Sequence, residues 1–154
     1  MTRLPGVEED VTVDRLAGDW AIHQLAAGHR FSADDMLVAW LAAQVAPGAR
    51  RLLDLGAGIG SVGFMTLWAL QDRAPGGAPR TLTMVEAQPV SQRLALATAA
   101  LNGFGDQVRG FVSDLRDLPA EVVGPYDLVT GSPPYFPLGT GKVSPHPQKA
   151  ACRM

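Results

Sequence analysis

The sequence predicts an α/β fold, a parallel sheet flanked by helices. Three observations carry this expectation. Residues 51–63, RLLDLGAGIGSVG, read as a strand, a glycine turn and the start of a helix. Further short apolar runs alternate with helical patterns downstream, which implies parallel strands joined by right-handed crossovers. Four strand ends then carry a polar or special residue: Asp54, Glu86, Asp114, and the tetrapeptide Ser132, Pro133, Pro134, Tyr135. Ligands of such sheets bind beyond the carboxyl ends of the strands.

Taken in order, residues 1–10 are polar and expected to fray. Residues 11–16 and 20–24 flank Ala17, Gly18 and Asp19, and their alternation predicts a hairpin. Residues 28–31 read as a loop. Ser32 then caps a helix, with Asp35 three residues on, where a capping box places an acceptor. Met36, Leu37, Trp40, Leu41 and Val45 form one helical stripe, read as core, and Pro47 with Gly48 stops it. In the central stretch, Gly56, Gly58 and Gly60 allow a sharp bend and close approach to a ligand. The helix beginning beyond them offers unpaired N–H groups.

Residues 72–79 form a Pro/Gly-rich loop, expected to be mobile. Residues 81–85 are a buried strand ending at Glu86, and Pro89 suits the first turn of the next helix. Val90, Leu94, Ala97 and Leu101 give that helix its buried stripe, and Asn102 with Gly103 ends it. Residues 108–112 and 126–130 are the third and fourth strands of the alternation. A last helix is expected to begin near Gln148.

The chain has 154 residues, enough for one domain with a real core. Apolar residues make up 47% and charged residues 18%, which excludes a disordered chain. The net charge of −2 gives no general attraction to nucleic acid. Lys142, His146, Lys149 and Arg153 could form a local basic edge, though a solvated loop is the simpler reading. A single cysteine, Cys152, permits no intrachain disulfide and suits a reducing compartment. The acidic N-terminus has no signal-peptide pattern, and no apolar run reaches membrane-spanning length. A cytoplasmic location is the expectation.

The strand ends suggest particular chemistry. A carboxylate at Glu86 can accept two hydrogen bonds from a ribose diol. Asp114 can accept from an adenine amino group, with Leu115 behind the ring. Asp54 can orient the glycine loop and reach an ammonium group. Together these suit an adenosine with a cationic amino-acid tail better than a pyrophosphate. The glycine spacing also departs from G-x-G-x-x-G, since residue 60 is Gly and residue 61 is Ser. No G-x-x-x-x-G-K-[ST] motif occurs, which removes the common nucleoside triphosphatase reading. At the fourth strand end, the two prolines lack N–H groups and leave a surface rich in acceptors. Rigid carbonyls there can accept from a planar NH2 group, and Tyr135 can stack on the ring that bears it.

These motifs resemble class I S-adenosylmethionine-dependent methyltransferases of the N-P-P-Y type. The segment VDRLAGDWAIHQLAAGHRFSADDMLVAWLA narrows the resemblance. It is similar to the one that precedes the glycine motif in bacterial enzymes methylating adenine N6 beside the anticodon of a valine tRNA. The resemblance runs from about Asp14 onward and implies a Rossmann-like fold. Residues 1–31 would be an extension with a hairpin and a cofactor-entrance loop, and 32–154 the methyltransferase domain. The resemblance further implies that Asp54, Gly56, Ala57, Gly58 and Gly60 surround the methionine part of S-adenosyl-L-methionine. Glu86 and Ala87 would hold the ribose, and Asp114 with Leu115 the adenine. Arg30 and Phe31 would line the entrance, with Ser132 also reaching the cofactor. Ser132, Pro133, Pro134 and Tyr135 would grip the target amine. The product would be S-adenosyl-L-homocysteine, and no metal or covalent enzyme intermediate is required.

Two departures from the family pattern stand out. Ser132 occupies the place of the usual Asn or Asp, and a hydroxyl lacks the reach and fixed plane of an amide carbonyl. The family sheet has seven strands, whereas this chain supplies about four, which reads as a truncated domain. Its fourth-strand edge would then be open, favouring pairing with a second copy. The leading expectation is adenine-N6 methylation of tRNA. Guanine-N2 methylation of ribosomal RNA, protein glutamine methylation and a non-catalytic cofactor-binding fragment remain alternatives.

Overall fold

The computed structural model describes residues 3–71, 79–133 and 144–151. Strands β1 (Val11–Ala17) and β2 (Trp20–Leu25) form an antiparallel hairpin. Helix α1 (Ala33–Val45) follows, then β3 (Arg51–Leu55), α2 (Ser61–Leu70), β4 (Thr81–Glu86) and α3 (Pro89–Leu101). The described chain continues with β5 (Val108–Val112), β6 (Leu128–Thr130) and a short α4 (Pro147–Ala151). The second sheet is wholly parallel, in the order β5-β4-β3-β6. This is the expected α/β alternation. β6 is shorter than the 126–130 run suggested. Tyr126 instead donates its hydroxyl to the Val122 carbonyl at 2.8 Å.

Side chains alternate across the parallel sheet, as strand geometry requires. Leu52, Leu82, Met84 and Val108 face one way and join Phe64, Leu70 and Leu94 in the main core. Leu53 and Val85 face the other way and meet Val122, with Leu55, Phe111 and Tyr126 packed around them. Helices α1, α2 and α3 therefore contribute to the same side of the sheet.

Two helical stripes differ from expectation. On α1, the buried residues are Asp35, Ala39, Ala42 and Ala43. Met36, Leu37, Trp40, Leu41 and Val45 are exposed, Trp40 at 61%. The physical reason is close packing against α2: small alanines let the helices approach, which turns the large stripe outward. On α3, Leu94 is buried as expected, but Leu101 is exposed and Ser91, Gln92, Ala95, Thr98 and Ala99 are buried. Polar partners fix that rotation. Thr98 Oγ1 accepts the His23 N–H at 2.9 Å. Asn102, read from sequence as a helix stop, also clamps β2, accepting the Ala21 N–H and donating to the Ala21 carbonyl.

The outward turn of α1 has a measurable consequence. Leu41→Ala is expected to change stability by less than about 1 kcal/mol, as for a surface site. Phe64, fully buried, should cost about 3–5 kcal/mol when cut to alanine. Urea unfolding of both variants checks the contrast, and equal losses would contradict it.

Candidate functional site

The carboxyl ends of β3, β4 and β6 open on a cleft of about 750 Å³, within the usual range for small-molecule sites. Its floor is the turn between β3 and α2. Gly56, Gly58 and Gly60 have positive φ values of 65, 55 and 84° there, which side-chain-bearing residues rarely adopt. The turn is pinned by Ala57 N–H to the Val85 carbonyl at 3.0 Å and Gly60 N–H to the Ala57 carbonyl at 2.8 Å. Gly56, Ala57 and Gly58 line the cleft, while Gly60 does not. A Cβ on Gly60 would lie 2.4 Å from Phe64 Cε2, so its glycine serves the packing under the turn.

Asp54, at the end of β3, is 1% exposed. Its carboxylate accepts the Gly63 N–H at 3.1 Å and the Thr130 hydroxyl at 2.9 Å. It thus ties α2 and β6 to the central strand. Burial pushes its pKa up to about 6, against those two hydrogen bonds, and the charges of Asp35 and Glu86 push the same way. A raised carboxyl pKa favours the folded state most below the unfolded value of 3.8. That contribution is lost as pH rises through about 6. Asp54→Asn should therefore lessen the decline in stability between pH 4.5 and pH 7, read by urea unfolding. An unchanged slope would contradict the buried-acid assignment.

Glu86, at the end of β4, is also buried. One carboxylate oxygen accepts the Gly58 N–H at 2.8 Å and the other the Gln88 N–H at 2.8 Å. Glu86 therefore shapes the glycine turn itself, a role not read from sequence. Each oxygen keeps a further lone pair for a ligand hydroxyl.

Asp114, beyond β5, lines the cleft with Leu115 as expected. Its carboxylate is already gripped by Arg116, through Nε at 2.9 Å, Nη2 at 2.6 Å and the backbone N–H at 2.9 Å. These bonds hold its pKa well below the usual carboxylate range. Any adenine amino group would have to share the carboxylate with that guanidinium.

Ser132 and Pro133 line the cleft, as does Ala87, whereas Pro134 and Tyr135 lie outside the described residues. Two sequence-predicted residues are placed elsewhere. The Arg30 guanidinium binds Asp14 at 2.7 Å and Thr12 at 3.1 Å, on the hairpin. Phe31 packs against the main core, its N–H donated to Gln24 Oε1 at 2.9 Å. A carboxylate partner on β1 and an apolar berth take them from the cleft wall.

Their place is taken by His29, Ser32, Asp34 and Asp35. Asp35 does accept the Ser32 N–H at 3.2 Å, as a capping residue should. The same oxygen accepts the Ser61 hydroxyl at 2.9 Å, linking α1 to the first residue of α2. The capping signal was visible in sequence, but the second bond depends on how the helices meet. Asp34, Asp35, Asp54, Glu86 and Asp114 give the cleft an acidic lining, with Arg116 engaged by Asp114. Such a lining favours a cationic ligand.

No family model matches the chain. Among solved structures, TYW2 of P. horikoshii in complex with MeSAdo superposes with a TM-score of 0.54 at 22% identity, covering 71% of this chain and 38% of that one. The tRNA m1G37 methyltransferase of M. jannaschii gives 0.54 at 17% identity, covering 74% and 33%. Cofactor-bound Rv0187 from MTB gives 0.50 at 25% identity, covering 66% and 44%. The fold is thus the Rossmann-like fold of class I methyltransferases.

In sequence, the chain is similar to one particular enzyme, the tRNA1(Val) (adenine(37)-N6)-methyltransferase of Aeromonas hydrophila subsp. hydrophila. The two are 34% identical over 91 residues, which is 59% of this chain and 35% of the relative. The chain thus spans about a third of that relative's length. No helix among the described residues is long and apolar enough to cross a membrane.

Proposed function

We propose that this chain is an S-adenosylmethionine-dependent N-methyltransferase domain whose acceptor is adenine N6 in a tRNA. One observation carries the reading: the glycine turn, Glu86, Asp114 and Ser132–Pro133 all meet at one acidic cleft. The similarity to a tRNA adenine-N6 methyltransferase supports the acceptor.

The residues present fit the cofactor. Gly56, Ala57 and Gly58 leave room for its methionine part, and a Cβ on Gly58 would meet nothing within 4 Å. Glu86 would accept from the ribose diol with the lone pairs left by Gly58 and Gln88. Leu115 would back the adenine, and the acidic lining would favour the cationic tail. The cofactor, when bound, supplies an electrophilic methyl group on sulfonium sulfur. The chain's own part is to hold the acceptor. The Ser132 hydroxyl and the Pro133 carbonyl would accept from the planar amine, whose lone pair is otherwise spread into the ring. Accepting those hydrogens favours the pyramidal geometry that attacks carbon, and positioning supplies much of the rate.

Labelled methyl transfer from S-adenosylmethionine onto bulk tRNA, compared with protein, tests the reading. Label in N6-methyladenine after nuclease digestion is the expected result, whereas label only in protein would overturn the acceptor. Among the described residues no strand pairs with the outer edge of β6, and this edge, with the exposed stripe of α1, supports association of two copies. Sedimentation is expected to show a concentration-dependent dimer that Leu37→Lys with Leu41→Lys weakens. A monomer at all concentrations would contradict this.

A further inference from the structure

Gln148 is a long amide side chain on α4, yet it is 2% exposed. Its Oε1 accepts the backbone N–H of His29 at 2.8 Å, and its Nε2 donates to Ser91 Oγ at 2.9 Å. Burial of an amide is tolerated when both its ends are satisfied, and here both are. One end holds the loop before α1 and the other holds α3. The loop comes unusually close: a Cβ on Gly28 would lie 2.2 Å from Gln148 Oε1 and 2.6 Å from Leu25 Cβ. Only a glycine permits that approach. A second tie joins the residue before α4 to the segment before β1, with His146 Nε2 2.7 Å from Glu9 Oε2. The Glu9 side chain is 48% exposed, so this pair adds direction more than energy.

The bridged parts border the ligand cleft. His29 lines it from the loop and Ala151 from α4, and Ser132 and Pro133 line it at the end of β6. Gln148 itself is not in the lining. We infer that Gln148 is a positioning residue that clamps α4 to the His29 loop as one wall of the cleft. Ligand in the cleft and docking of α4 then stabilise each other. Such coupling is reciprocal and typically amounts to about 5–150-fold in affinity. The identity of the ligand rests on the methyltransferase reading, whereas the clamp rests on the hydrogen bonds alone.

The test uses S-adenosylhomocysteine as the probe, with calorimetry and amide hydrogen exchange on the whole chain. Gln148→Ala is expected to weaken binding about tenfold. Ser91→Ala, which removes the anchor on α3, should weaken it in the same direction. The double variant should lose less than the two single losses combined, because both act on one clamp. In the unaltered protein, the ligand should slow exchange across residues 144–151, and Gln148→Ala should abolish that protection. Unchanged affinity in Gln148→Ala, or no ligand-dependent protection of 144–151 despite binding, would overturn the proposal. Absence of binding to the unaltered protein would instead sink the cofactor reading. The clamp is then judged without ligand: exchange of 144–151 should be faster in both variants, and equal exchange would overturn it.

Discussion

Glu86→Ala should reduce affinity for S-adenosylhomocysteine by about 100-fold or more. The carboxylate accepts the Gly58 and Gln88 N–H groups, and in the proposed complex also a ribose diol. Hydrogen bonds to charged groups contribute about 1.5–3 kcal/mol each. Loss of two ligand bonds alone reaches about 3 kcal/mol, which is about two decades in affinity. The alanine variant also leaves the Gly58 N–H without its acceptor, so the turn itself loosens. Glu86→Gln separates these effects, because the amide keeps one acceptor oxygen and loses the charge. It should retain more of the turn than alanine does while still binding weakly. Calorimetry on both variants, with circular dichroism to show that they fold, checks the result. An affinity within twofold of the unaltered protein would remove Glu86 from the ligand site.

Gly60→Ala should be among the most damaging single substitutions, through stability and not through ligand contact. Gly60 has φ 84° at the N-cap of α2, and its Cβ would fall 2.4 Å from Phe64 Cε2 and 3.2 Å from Met84 Sδ. Residues forced into a sparsely populated conformation cost about 1–3 kcal/mol. Overpacking of a filled core adds about 1–3 kcal/mol. Phe64 cannot yield freely, being fully buried in the main core. A fall in melting temperature of about 10 °C or more is expected for a domain of this size. Gly58→Ala provides the contrast. Its Cβ would meet nothing within 4 Å, so only the backbone strain at φ 55° remains, and the added methyl group intrudes on the cleft. That variant should lose less stability than Gly60→Ala while weakening ligand. Equal thermal losses in the two would contradict the separate roles given to these glycines.

Much of the site was legible because strand ends in a parallel α/β sheet converge by construction. Asp54, Glu86, Asp114 and Ser132 were found by their place after apolar runs, and all four line the cleft. The hairpin and α1 were legible from alternation, capping and stop signals. Arg30 and Phe31 were not placed by the same logic. Their destinations depend on Asp14, Thr12 and the hydrophobic core, which are reached only once the hairpin folds over. The partner of Asp114 is a different case. Arg116 lies two residues away, so the pair was visible in sequence, but three hydrogen bonds to one carboxylate require the turn that brings them together.

The sequence by itself determined the element order, the glycine turn and the set of acids at the strand ends. These follow from local propensity and from the period of apolar residues, which act over a few positions. The tertiary structure decided which face of α1 is covered. Helical periodicity marks a stripe without saying what will cover it, and here alanines met α2 while Trp40 and its neighbours turned outward. It also decided that Asp35 joins two helices and that Glu86 braces the turn it borders. Gln148 bridges α3 and the His29 loop for the same reason. Each is a buried polar group whose partner lies far along the chain. Burial obliges such a group to find a partner, and only the folded chain supplies it.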